Sequence, residues 1–448
     1  MTGLNRTFAT QLELLGLRIP EILLPNSSVE LRSWAVVACD QYTSDEGYWK
    51  TVEAAVGSAP STLRLVLPEI YLGSPDVPER VKKIHARMSE YLEQGVLASK
   101  GECLVYVRRT TARSGLREGL VVAVDLERYE YSRGSKSLIR ATEGTIVDRI
   151  PPRLSVRRRA PLELPHIMVL VEDPAHQLIE GLGVRCNEFE KIYDVQLMQE
   201  GGRLEGYRID KAPDIEGLLT YLVSLLEQAK QRQHSDTPML WAMGDGNHSL
   251  ATAKANWEEV KRELSDAGRA SETLNHPARW ALVELVNVYS KGLRFEPIHR
   301  AIFTSRTEDL RASLRVDPAI RSLDPTTESE LLALLSAPSG QDKAGVFDGK
   351  AFFVINWTET RDLPPAQVDG LFQRFQKSDP AAKIDFIHGW EDNRKLAGES
   401  AVAFFVPVLE RDRLFSRVGE QGPLPRKAFS MGDAEEKRFY MEARRITR

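Results

Sequence analysis

Twelve residues, Pro238-Met239-Leu240-Trp241-Ala242-Met243-Gly244-Asp245-Gly246-Asn247-His248-Ser249, restrict the fold of this chain more than any other stretch. An apolar run with strand character ends in Gly-Asp-Gly, and Asn-His-Ser then opens a helical pattern over 250–257. A strand, a glycine turn and a helix N-terminus form a ready anion site. Backbone N–H groups without helical partners and the positive end of the helix dipole face the turn. Gly244 and Gly246 let the backbone approach a ligand closely, and Asp245 and His248 add an acid/base pair or a metal ligand at the mouth. The plainer reading is that Asn247 or Ser249 caps the helix, the glycines turn the chain and His248 fills a gap.

The 448 residues suffice for two or three domains, or for one large core with additions. A net charge of −4 gives no bulk attraction to nucleic acid or anionic lipid, so neither is expected as a partner. Cys39, Cys103 and Cys186 are widely separated and fit neither a disulfide framework nor a cysteine zinc site. No apolar run reaches membrane-span length, and MTGLNRTFAT lacks a signal pattern, so a cytoplasmic globular protein is expected.

Strand and helix patterns alternate along the chain without visible repeats. Residues 34–39 read as a buried strand ending at Asp40-Gln41, and 77–97 as a helix. Strands follow over 103–108 and 120–126, Pro151-Pro152 breaks the chain, and 166–171 reads as a further buried strand. An amphipathic helix over 215–228 leads into the glycine turn, and 280–289 reads as a strand. The pattern predicts a mixed α/β (α+β) fold, with a main region over 1–303 and a smaller C-terminal α+β region over 304–448.

Two further stretches suit anion chemistry. Arg140-Ala141-Thr142-Glu143-Gly144-Thr145-Ile146-Val147-Asp148-Arg149 offers guanidinium forks and hydroxyl donors, or is a solvated polar loop. His299-Arg300, after a proline-fixed turn, faces a site or lies in the core, and Asn287 inside an apolar strand needs a partner either way. No His-x-x-x-His or His-Glu-x-x-His spacing occurs, nor a Gly-x-x-x-x-Gly-Lys-Ser/Thr loop, nor a Gly-x-Ser-x-Gly elbow.

In order along the chain, Ala38-Cys39-Asp40-Gln41-Tyr42-Thr43-Ser44, the Arg140–Thr145 stretch and Pro161-Leu162-Glu163-Leu164-Pro165-His166-Ile167-Met168 resemble the family grouped as domain of unknown function 1015. So do Gly244–Ser249, Asn287 with Pro297-Ile298-His299-Arg300, and Pro425-Arg426-Lys427-Ala428-Phe429-Ser430-Met431-Gly432. The family's Asp-Gly-His-His-Arg box is similar to the phosphate-binding box of the ParB and sulfiredoxin superfamily. That superfamily includes a CTP-binding partition protein, sulfiredoxin and a free L-serine kinase. The resemblance implies a ParB/sulfiredoxin-like nucleotide-binding core with Asp245, Gly246, Asn247 and His248 as its phosphate cradle. The box departs from the pattern at Asn247 and Ser249, where a histidine and an arginine are usual, so Arg140, Arg149 or Arg300 would replace the missing charge or the ligand differs. Sulfiredoxin chemistry is disfavoured, because it needs a cysteine at the box and the cysteines here lie elsewhere in sequence, although Cys39 could approach in the fold.

The function expected on this basis is phosphoryl transfer from ATP or ADP, with Mg²⁺, to a hydroxyl of a small metabolite such as free serine or a similar amino or hydroxy acid. Asp40 and Glu143 are the candidate bases, with Asp245 and His248 at the reacting phosphate and Asp245 on the metal. Gly244, Gly246, Asn247, Ser249, Arg140, Thr142, Arg149, His299 and Arg300 are the candidate nucleotide contacts. The alternative is a nucleotide-binding regulatory module without fast turnover. An enzyme needs a base converging on the cradle, whereas a switch needs only the cradle and a movable element.

Overall fold

The structure is a computed structural model that describes residues 6–447. It divides into two compact units: one holds the chain up to Leu293, Phe415–Pro423 and the residues from Gly432 on, the other Arg294–Leu414 and Leu424–Met431. This differs from the expected split near residue 303. The chain changes unit at 293, and its last residues return to the first unit instead of staying with the C-terminal region.

The first unit is built on a mixed sheet of β1 (Leu17–Arg18), β2 (Leu104–Thr111), β3 (Gly115–Asp125), β4 (Tyr129–Glu130), β5 (Ile139–Arg140), β6 (Met168–Val171), β7 (Glu190–Gln196), β8 (Arg203–Ile209), β9 (Trp241–Asp245) and β10 (Trp280–Asn287). The strand order is β7-β8-β2-β3-β10-β6-β9-β5-β4, with β1 on β3. β9 runs antiparallel to β6 and parallel to β5, and β6 runs parallel to β10. Successive side chains of a strand point to opposite faces, and the central strands use both faces for core. Leu120, Val122 and Val124 of β3, with Ala281 and Val283 of β10, pack on one face. There they meet the leucine stripe of α2 (Ala212–Arg232) and Leu250 and Trp257 of α3 (Asn247–Asp266). Val121 and Leu282 face the other way, toward Trp34, Val36, Phe439 and Tyr440.

Two expectations are corrected. The 34–39 stretch is no regular strand: Leu31–Trp34 is a short helix, and the residues after it run extended and pair through Val37 with Phe439. Pro151-Pro152 does not break the chain but opens the helix α1 (Ile150–Arg157), where the missing amide hydrogens would have had no partner anyway. The second unit is a largely antiparallel sheet centred on Phe295–Phe303, with helices Thr307–Val316 and Pro364–Gln376 packed on it. Among the described residues no helix is long and apolar enough to cross a membrane.

Buried charges fasten the C-terminal segment to the first unit. Arg438, 4% exposed, places Nε 2.8 Å from Glu284 Oε2 and Nη2 2.7 Å from Glu442 Oε2, and its Nη1 donates to the Pro165 carbonyl. Glu442 also accepts a 2.5 Å hydrogen bond from Tyr193. Gly119 leaves the space that Glu284 fills: a Cβ there would collide with the Glu284 carboxyl. Breaking a buried pair from one side strands the other charges. Arg438→Met is therefore expected to lower the stability of the first unit by about 3–5 kcal/mol in urea unfolding. A loss under about 1 kcal/mol would show that the network anchors nothing.

Candidate functional site

Trp241, Ala242 and Met243 are fully buried between β6 and β5, so β9 delivers Gly244 and Asp245 to the sheet's end at a fixed height. Gly246 has φ +80°, and a Cβ there would lie 3.1 Å from Ile167 Cα and 3.2 Å from Ile167 Cγ1. Only glycine meets both conditions. α3 starts at once, with Gly246 as its N-cap and no side chain capping it. The first intrahelical bond runs from Leu250 N–H to the Gly246 carbonyl at 3.0 Å. The amides of Asn247, His248 and Ser249 thus have no acceptor inside the helix. Asn247 Oδ1 is enclosed and without a hydrogen-bond partner. The plainer reading, in which Asn247 or Ser249 caps the helix, does not hold.

Three distant segments converge on this turn within the first unit. Lys437 places Nζ 3.2 Å from Asp245 Oδ2. His166, whose ring lies against the Gly246 backbone, has Nε2 3.6 Å from Asp40 Oδ2. Its Nδ1 is 2.8 Å from the Tyr440 hydroxyl, which also accepts the Cys39 N–H at 3.1 Å. Burial alone would raise the Asp40 carboxyl. The His166 ring, a hydrogen bond from Gln41 and the Lys437 ammonium outweigh it and hold Asp40 below its ordinary range. Burial and the neighbouring Cys39 push the Tyr440 phenol well up, so it keeps its proton. When that proton is shared with Nδ1, the ring's own proton lies on Nε2, facing Asp40. Burial, with Asp40 beside it, also drives the Cys39 thiol far above its ordinary range, which leaves it protonated and a poor nucleophile.

The other expected residues divide by position. Thr142 is fully buried and donates at 2.5 Å to the Met243 carbonyl, tying the chain after β5 to β9. Glu143 follows it, partly exposed, at the same end of the sheet as Asp245 because β5 and β9 are parallel. Arg140 is spent on backbone carbonyls, of Ser137 at 2.8 Å and Thr237 at 2.7 Å. Arg149 is exposed just before α1, which packs Ile150 and Leu154 against Ala251 of α3. Asn287 resolves as a structural residue at the other end of the sheet, donating to the Asp173 carbonyl at 2.8 Å and accepting from Tyr289 N–H at 3.2 Å. His299 and Arg300 belong to the second unit, and their polar groups are used inside it. Arg300 binds Asp369 at 3.1 Å and the Lys427 and Arg426 carbonyls at 3.0 and 3.2 Å. His299 packs against Trp390 and Phe405 and accepts from Val406 N–H at 3.3 Å.

Sequence reasoning did not assign His166, Lys437 or Tyr440 to the site. His166 lay in a matching stretch without a role, and nothing local marks residues 437 and 440. Among the described residues, no group of three or more His, Cys, Asp or Glu side chains stands ready to hold a metal. A Mg²⁺ ion here would take Asp245 together with ligand oxygens, the usual arrangement for this hard, water-retaining cation.

Burial, helped by the Arg300 charge, lowers the His299 pKa from 6.5 to about 3. Between those values the unfolded chain binds a proton that the folded unit refuses, so stability falls as pH drops through that window. The second unit is expected to lose about 3–5 kcal/mol between pH 7 and pH 3 from this group alone. His299→Gln should flatten that part of the pH–stability curve. An unchanged slope would assign the acid sensitivity to other groups.

Comparison with known proteins places the chain. The family model "Protein of unknown function (DUF1015)" matches residues 22–372. No curated protein matches. Among solved structures, a free serine kinase (E30Q mutant) in complex with AMP is similar at TM-score 0.38 and 8% identity, over 76% of this chain and 95% of that one. A conserved hypothetical protein from Pyrococcus furiosus aligns at TM-score 0.35 and 9% identity, over 73% and 95%. SbnI with C-terminal truncation from Staphylococcus aureus aligns at 0.34 and 10%, over 70% and 82%. Likeness at this level assigns no activity. The match over 22–372 makes the chain a member of the DUF1015 family, proteins of unknown function.

Proposed function

We propose that the protein transfers a phosphoryl group from ATP or ADP to a hydroxyl of a small metabolite, free serine or a similar amino or hydroxy acid. One observation carries the reading: Asp40, 205 residues from Asp245, sits at the uncapped turn through His166 and Lys437. A nucleotide switch needs only the cradle and a movable element. A transferase also needs an ionised carboxylate held in place beside it, and the Asp40–His166–Tyr440 chain supplies one. The alternative reading, a regulatory nucleotide-binding module, leaves that chain without a task.

The turn suits a phosphate. The start of α3, where no side chain caps at Gly246, brings backbone amides and the positive end of the helix dipole to the turn, and Gly246 lets the ligand approach the backbone. Mg²⁺, held by Asp245 and phosphate oxygens, would neutralise charge as the phosphoryl group moves. The acceptor hydroxyl oxygen bonds to phosphorus as the bond from phosphorus to the nucleotide's leaving oxygen breaks. Asp40 takes the hydroxyl proton, and His166 holds the carboxylate toward it. A carboxylate below its ordinary range stays ionised at neutral pH, and in phosphoryl transfer most of the rate comes from positioning rather than basicity. Glu143, at the same end of the sheet, is the second candidate base.

Two measurements test this. In a thermal-shift screen against ATP, ADP, CTP and GTP with Mg²⁺, one nucleotide at 100 times its Kd should add about 2.7 kcal/mol to wild type. His248→Ala should lose that shift, and no shift with any nucleotide would remove the reading. Asp40→Asn should keep the nucleotide shift while lowering phosphoryl transfer to the acceptor by at least about 100-fold. Full activity in that variant would take the base role from Asp40.

A further inference from the structure

We infer that Lys437 is the phosphate-facing cation of the cradle, brought to it by the C-terminal segment. This rests on the nucleotide reading above and names the group that replaces the arginine missing at Ser249. Of the three cations the sequence suggested, Arg140 is spent on the Ser137 and Thr237 carbonyls, Arg300 is held within the second unit and Arg149 is exposed just before α1. Lys437 stands at the turn itself. Its side chain is 9% exposed, and its ammonium lies 3.2 Å from Asp245, the residue that opens the turn.

Its position is over-determined. Ala38 N–H donates to the Arg438 carbonyl and Tyr440 N–H to the Val36 carbonyl, each at 2.9 Å, and Val37 pairs with Phe439. The Lys437 amide itself donates to the Ala434 carbonyl at 3.2 Å. The next side chain, Arg438, is locked between Glu284 and Glu442. A long lysine side chain normally loses much rotamer freedom on binding an anion, and here most of that loss is already taken in folding.

The charge balance points the same way. Asp245 and Asp40 put two carboxylates beside an anion-binding turn, which would repel a phosphate unless a cation lay between them. Lys437 interacts with both. An ammonium carries three donors, so it can keep Asp245 and still donate to a phosphate oxygen. The arrangement selects for phosphate charge and is indifferent to the base, so its effect should grow with the number of phosphates.

The test is calorimetric titration of wild type, Lys437→Met, Lys437→Gln and Lys437→Arg with ADP, pyrophosphate and adenosine, with a thermal melt of each variant. Lys437→Met and Lys437→Gln should bind ADP and pyrophosphate at least about tenfold more weakly. Lys437→Arg should recover ADP affinity to within about threefold, and adenosine binding should be the same in all four proteins. ADP bound by a folded Lys437→Met or Lys437→Gln as tightly as by wild type overturns the assignment and leaves the nucleotide reading standing. A loss for adenosine equal to that for ADP also overturns it, because the residue is then only structural. Wild type that binds neither ADP nor pyrophosphate removes the nucleotide reading and the assignment with it.

Discussion

The candidate site depends on the pairing of residues 36–40 with 437–440. Two backbone hydrogen bonds, the Val37–Phe439 bridge and the Trp34 indole donating to the Met441 carbonyl hold the two segments together. The buried Arg438–Glu284–Glu442 cluster then fixes the C-terminal segment against β10. Charges so deeply enclosed are costly to bring out of water and add stability only as a complete set. Their effect is geometric: Arg438 reaches its partners in one register, and that register sets Lys437 beside Asp245 and Tyr440 beside His166.

Around the turn, the charges suit the anion proposed for it. The helix end and Gly246 bring backbone amides to the turn, and the carboxylates beside it are each paired with a cationic or hydrogen-bonding neighbour. The thiol of Cys39 lies in the same cluster but is kept protonated by burial, so the chemistry available is that of carboxylate, imidazole and ammonium. Such a set can orient a carboxylate for proton transfer without a covalent protein intermediate.

Much of this was legible in the sequence because it is local. The glycine turn, its flanking strand and the start of the helix after it follow from composition and periodicity over 238–257, and the structure has them at Trp241–Asp245 and in Asn247–Asp266. Asp40 was legible through the family resemblance. Lys437 and Tyr440 were not, because no local pattern tells a lysine 192 residues from Asp245 that it will stand beside it. The apolar stretch 34–39 read as a strand because buried extended segments share the composition of strands, and only its C-terminal partner makes the difference. Arg140 read as a ligand contact because its stretch is rich in guanidinium and hydroxyl donors, and His299-Arg300 because they follow a proline-fixed turn. The structure supplies their partners from nearby backbone and side chains.

The most direct measurement is a crystal structure of the full chain with ADP and Mg²⁺. The account predicts phosphate oxygens within hydrogen-bonding distance of the Asn247–Ser249 amides and of Lys437 Nζ, with an open approach from Asp40 to the terminal phosphorus. ADP bound elsewhere, or phosphates at this turn turned away from Lys437 and Asp40, would contradict it.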